Sequence, residues 1–147
     1  MRNHSRKTKH YFLAGLLVCL AACSTISKFD QYAYTQTTSL KVDACNIMSL
    51  ATESYNDHAM DVLKVETDIN KMFEYEKNRP KNEFSEKMWS ILKDSTGHLF
   101  GGFVRRWRRE GKLNAAFVAE SRALVGQSFD QISQLESGKI KPQQITN

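Results

Sequence analysis

The chain has 147 residues and a formal net charge of +5, but four of its 21 basic residues, Arg2, Arg6, Lys7 and Lys9, lie within residues 1–22, which hold no acidic one. The remaining 17 face 16 acidic residues, so the body is close to neutral and its basic balance gives no ground for a nucleic-acid surface. The length suits one domain with a real core and excludes two large ones.

In chain order, the basic start is followed by an apolar run over 11–20, the n-region and h-region of an export signal. A bilayer-spanning helix needs about 20 apolar residues, and this run is too short for one. Leu20, Ala21, Ala22 and Cys23 close the run and resemble the lipobox of bacterial lipoproteins. The resemblance covers residues 1–23 only. It implies that the Cys23 sulfur receives a diacylglycerol, that the signal is cut just before Cys23, and that the new amino group is acylated as well. The small Ala21 and Ala22 suit a narrow peptidase site, and only a thiol forms the thioether. Each buried methylene adds roughly 0.8 kcal/mol of membrane affinity, so two or three acyl chains anchor stably where one is marginal. Ser24, standing where an aspartate would imply retention in the inner membrane, implies the outer membrane with the protein facing the periplasm. Cys19 would leave with the signal and Cys23 would carry lipid. Cys45 would then be the one free thiol, with no disulfide available to the fold.

The expected organisation is a signal over 1–22, a lipidated tether over 23–28, a helical domain over 29–138 and a flexible tail over 139–147. Apolar or small residues recur at three and four from Phe29 through Ala33, Leu40, Ala44, Ile47 and Ala51, then Val62, Val65, Ile69 and Met72. Neither glycine nor proline interrupts them before Pro80, so the pattern favours one long helix over about 27–77, roughly 75 Å at 1.5 Å per residue. The soft point is between Ser54 and Asp57, which imitate a capping box. Pro80 marks a turn, and Asn82 can cap the helix after it. A second helix carries Phe84, Met88, Ile91, Leu92, Leu99, Phe103, Val104 and Trp107, weakened by glycines at 97, 101 and 102 and closed by Gly111. A third runs from Leu113 through Phe117, Leu124, Ser128, Ile132 and Leu135 to Gly138. No sustained period of two appears. The expected fold is all-α, an elongated helical hairpin or three-helix bundle, becoming four-helix if the first helix breaks between Ser54 and Asp57.

Candidate chemistry is sparse. Glu53, Asp57 and Asp61 at helical spacing, with His58 beside them, lack the Glu-x-x-His pairs of a di-metal bundle, and with His98 the body has two histidines, so no metal site is expected. Cys45 falls near the apolar face, where a thiol is an inert small hydrophobe. Gly97 and Gly101 match a small-x-x-x-small spacing, read as close packing of helices or as a hinge. No nucleophile elbow or phosphate-cradling glycine loop is present, so no enzyme, cofactor or small-molecule substrate is expected.

Arg105, Arg106, Trp107, Arg108 and Arg109 form the most unusual local composition. Four guanidiniums around an indole suit a lipid headgroup layer or an acidic partner. Alternatively Trp107 is core and the arginines pair with the acidic stretch over 53–76. The expected function is a lipid-anchored envelope protein that binds, scaffolds or assists another envelope protein, held to the membrane through acyl chains on Cys23. An exclusion or immunity lipoprotein of a mobile element is the alternative, and a cell-wall enzyme ranks last.

Overall fold

The computed structural model describes residues 29–141 together with 144 and 145. The signal, the Leu20 to Cys23 box, Ser24 and the tether lie outside the described residues. Among the described residues five helices make an all-α fold: α1 Gln31–Ser49, α2 Tyr55–Lys77, α3 Glu83–Lys93, α4 Phe100–Glu110 and α5 Ala115–Glu136. No strand occurs among the described residues, and none of their helices is long and apolar enough to cross a membrane.

Helix α1 begins where the Asp30 carboxylate accepts the Ala33 N–H at 3.0 Å, an N-cap. It buries Ala33, Thr37, Leu40, Ala44, Ile47 and Met48, and the deeply buried Thr37 hydroxyl is satisfied by the Ala33 carbonyl at 2.7 Å. The long first helix expected from the sequence does not form. The chain tightens at Leu50 and Ala51, whose N–H groups reach back three residues to Ile47 and Met48, and then turns. What holds the corner is tertiary: the Tyr55 N–H donates to the Gly111 carbonyl and the Leu113 N–H to the Ala51 carbonyl, both at 2.8 Å. The turn lays Val62, Val65, Ile69 and Met72 of α2 against the α1 face, burying two apolar stripes that a straight helix would leave apart. Ser54 is the N-cap of α2, as its position suggested, but its side chain makes no capping bond.

The second expected helix is two. Helix α3 stops at Asp94, whose carboxylate takes the Thr96 N–H and hydroxyl, both at 2.8 Å. Helix α4 restarts at Phe100 pressed against the end of α3: a Cβ at position 101 would sit 2.2 Å from the Lys93 carbonyl oxygen. The glycines therefore serve the connection within one leg rather than packing between legs. At the far end Gly111 has φ of 76°, and its N–H closes on the Trp107 carbonyl at 2.8 Å. Helix α5 starts at Ala115, capped by Asn114, and ends before Gly138 as expected. Its inward face is displaced from the expected one only in the first part, where Val118, Val125 and Phe129 are buried and Leu124 is 45% exposed, whereas Ile132 and Leu135 are buried as expected. The N–H groups of residues 139 and 140 both donate to the Gln134 carbonyl.

Topologically α1 runs up, α2 down, α3 with α4 up, and α5 down, with α1 beside α2 and α5, and α3 beside α2 and α5. The result is a four-legged antiparallel bundle with a broken third leg. Trp89, Trp107, Phe100, Phe129, Met48 and Ile69 fill its core, with Trp89 edge-on to Phe129 at 5.9 Å. The two ends differ in composition. The entry end joins residue 30, the α2–α3 turn and the end of α5. The far end joins the α1–α2 corner to the end of α4.

Gly101→Ala is expected to destabilise by about 1 to 3 kcal/mol, because the added methyl overlaps backbone that cannot swing away. That outweighs the roughly 1 kcal/mol that alanine gains over glycine in a helix. A fall in the urea midpoint checks it.

Candidate functional site

The arginine cluster sits on α4 at the far end, and the position of Trp107 sets its geometry. That side chain is fully buried, donates from Nε1 to the Glu53 carbonyl at 3.1 Å, and meets the Tyr55 ring edge-on at 5.5 Å. A role for Trp107 in a lipid or partner surface is thereby corrected: the indole clamps α4 to the α1–α2 corner, and its one donor is engaged there. The neighbouring arginines are left outside. Arg108 donates from Nε to the Tyr55 hydroxyl at 2.9 Å and from Nη2 to Glu66 at 3.2 Å, with its guanidinium 5.2 Å from the Tyr55 ring centre.

Arg106 lies over the Phe117 ring at 4.1 Å and bonds Glu110 at 3.1 Å, while Arg109 reaches the same carboxylate at 2.8 Å. Hydrogen bonds from Arg109 and then Arg106 hold the Glu110 carboxyl below its ordinary range. Arg105 is exposed and pairs with no described residue. Of the acidic stretch over 53–76, the arginines thus engage Glu66 alone; their main counter-ion, Glu110, stands on their own helix. Counting Lys112, five cations share this end with Glu66 and Glu110, with Glu53 of the α1–α2 corner and with Asp57 in the first turn of α2.

The other candidates disperse. Glu53 lies in the corner ahead of α2, so it shares no helical face with the exposed Asp57 and Asp61; it meets His58 Nε2 at 2.7 Å. Among the described residues no group of three or more His, Cys, Asp or Glu is gathered as a metal site. Cys45 is a half-buried free thiol, and burial raises its pKa, which keeps it protonated and unreactive. His98 is exposed in the connection between α3 and α4, at the rim of a shallow groove of about 290 Å³ floored by Phe103 and Phe117.

A second polar cluster, at the entry end, was not anticipated. Arg79 Nη1 donates to Glu76 Oε2 and Glu136 Oε2, both at 2.7 Å, and Arg79 Nε stands 3.7 Å from Asp30. Ser85 donates to Glu136 Oε1 at 2.6 Å. The Asn82 amide bonds the carbonyl and the carboxylate of Glu76, which explains why it does not cap α3. Tyr75 donates its hydroxyl to Asp30 at 2.7 Å, and that bond pushes the Tyr75 pKa up to about 12. The Ala33 N–H and the Tyr75 hydroxyl hold the Asp30 carboxyl below its ordinary range. Glu76 is fully buried with Oε1 lacking any partner, and burial followed by the Glu136 charge pushes its carboxyl upward. The sequence did carry a signal for this cluster. Glu76 extends the Val62, Val65, Ile69, Met72 register by four, and Glu136 extends Phe129 and Ile132 in the same way, so each carboxylate occupies a core position.

No protein-family model matches this chain, and neither a curated protein nor a solved structure resembles it significantly.

Arg79→Met is expected to cost about 3 to 5 kcal/mol, because it strands two buried carboxylates. Arg108→Met, at an exposed pair, is expected to cost about 0 to 1 kcal/mol. Urea denaturation of the two variants side by side checks the contrast.

Two of the acids around Arg79, Glu76 and Asp30, give opposite pH signs. The pKa of Glu76 is raised on folding from 4.5, so the stability of its protonated form is complete below about pH 4.5 and is lost as pH rises through the folded value. The pKa of Asp30 is lowered from 3.8, so its contribution is present above that pH and is lost as pH falls through the folded value. Glu76→Gln is expected to flatten the rise in urea midpoint between neutral pH and about 4.5 while sparing the loss at lower pH.

Proposed function

We propose that this protein is a lipid-anchored component of the bacterial envelope that binds an acidic envelope protein through the arginine-bearing end of its bundle. The observation that carries this reading is the basic and apolar leader ending in Leu20, Ala21, Ala22 and Cys23, with Asp30, the cap of α1, only seven residues beyond. Such a leader delivers the chain to the envelope, and acylated Cys23 holds it at the membrane surface, with Ser24 favouring the outer membrane and its periplasmic face.

The architecture supports a binding rather than a catalytic role. Its most buried polar cluster is engaged in internal hydrogen bonds, while Arg105, Arg108 and Arg109 stand exposed at the arginine tip. The antiparallel course of the legs separates that tip from residue 30 by the length of α1, about 28 Å for 19 residues. An anchor at Cys23 therefore leaves the arginines free to meet a partner away from the lipid. Guanidiniums recognise carboxylates bidentately, and their stacking on Phe117 and Tyr55 limits the rotamer entropy lost on binding.

Two measurements test the reading. Labelled palmitate is expected to enter the wild-type chain and not Cys23→Ser; equal labelling would sink the anchor. Cross-linking in intact cells is expected to capture an acidic envelope protein with wild type and to lose it when Arg105, Arg106, Arg108 and Arg109 are all glutamine. Thermal stability should barely change in that variant, because exposed pairs contribute little. Undiminished capture would overturn the arginine end as the binding surface.

A further inference from the structure

The entry end of the bundle carries an exposed surface of a different kind from the arginine tip. Phe29 is 61% exposed and Tyr32 53% exposed, at the point where the described chain begins. Phe29 leans toward Tyr34, with ring centres 6.3 Å apart, and Tyr32 leans on Tyr75 at 4.9 Å. The same end exposes Lys77 and Lys81 around the α2–α3 turn and Lys139 and Lys141 after α5, against the exposed acids Glu74 and Glu83. The Arg79 cluster brings these segments together, since it joins Asp30, the α2–α3 turn and Glu136. Aromatic rings flanked by lysines have the composition that settles at the level of lipid headgroups, the rings in the interface and the ammonium groups on phosphates.

The chain upstream limits what can cover this surface. Cys23 precedes Phe29 by six residues, a reach of about 20 Å even when fully extended. A protein partner would have to fit between the rings and the acyl chains within that reach. The bilayer surface is already there.

We propose that the entry end is a membrane-seating surface, in which Phe29 and Tyr32 enter the headgroup layer and Lys77, Lys81, Lys139 and Lys141 engage anionic phospholipid. The inference rests on the lipid-anchored reading above and adds an orientation to it. Seating fixes the bundle with its arginine end outward.

The test uses the full-length, processed protein in a Cys45→Ala background, reconstituted in vesicles of phosphatidylethanolamine and phosphatidylglycerol containing a lipid with a nitroxide on its headgroup. A fluorophore is attached at Asn78→Cys at the entry end or at Lys112→Cys at the far end, both exposed positions. Quenching is expected to be several-fold stronger at 78 than at 112, and the difference should collapse when Phe29 and Tyr32 are both serine. Equal quenching at the two sites, stronger quenching at 112, or a difference indifferent to the serine pair would overturn the seating. Intact mass of the same preparation reports the state of Cys23 independently. An unmodified Cys23 overturns the anchor and the seating together, whereas an acylated Cys23 with equal quenching overturns the seating alone.

Discussion

The fold depends on one guanidinium. Arg79, in the turn after α2, is held between Glu76 of α2 and Glu136 of α5 and lies close to Asp30, the cap of α1. The two buried carboxylates outnumber the cation between them, and a buried ion pair is weak evidence for net stability because desolvation offsets its attraction. The surrounding side chains answer that deficit. Asn82 turns away from α3 to reach Glu76, and Ser85 is buried to reach Glu136. Glu76 Oε1 still has no partner, in keeping with a carboxyl whose pKa is pushed upward. What such a cluster supplies is register. An apolar end would tolerate a slip of α5 along α2, whereas these hydrogen bonds tolerate none.

The opposite end is closed by backbone and by one indole rather than by charge. The Tyr55 and Leu113 amides and Trp107 Nε1 tie the α1–α2 corner to the end of α4. These bonds explain why the arginines stand exposed. Trp107 points inward, so the residues at 105, 106, 108 and 109 are forced toward the sides and the outside of α4. Solvation of the arginines is thus a consequence of the core position of their central residue. Their partial fixation comes from Glu110, Phe117 and Tyr55.

Much of the architecture could be read from local chemistry. The spacing of Leu40, Ala44 and Ile47 and of Val62, Val65 and Ile69 declared helices. Pro80, Gly111 and Gly138 declared ends, and Cys45 fell by the apolar face as its spacing implied. The features that escaped were tertiary. The break before Ser54 exists because Gly111 and Leu113 supply partners more than fifty residues away, and the break before Phe100 exists because Gly101 admits the Lys93 carbonyl. Leu124 lost its core place to Val125 and Phe129, because α5 turns Gly126 toward α1, where a Cβ would come within 3.6 Å of the Cys45 sulfur. Hydrophobicity alone cannot choose between neighbouring registers when both contain large apolar residues. The Arg79 cluster escaped for a related reason: acids at core positions read as the end of an apolar stripe until the arginine that answers them is brought alongside.

The two ends are therefore unequal in what they can do. At the entry end the Arg79 charges are paired inward and the groups left outside are rings and lysines in excess of the exposed Glu74 and Glu83, a combination that discriminates poorly among proteins and well between water and an interface. At the far end the rings are buried or stacked and the guanidiniums remain outside, a combination that discriminates by charge and geometry. An antiparallel bundle keeps these surfaces about one helix length apart. The Debye length at physiological salt is about 8 Å, so the field of the arginines is screened over that separation. An anionic surface engaged by the lysines of one end would thus leave the other end electrostatically available, and that separation is set by the length of α1 between Asp30 and the corner at Leu50.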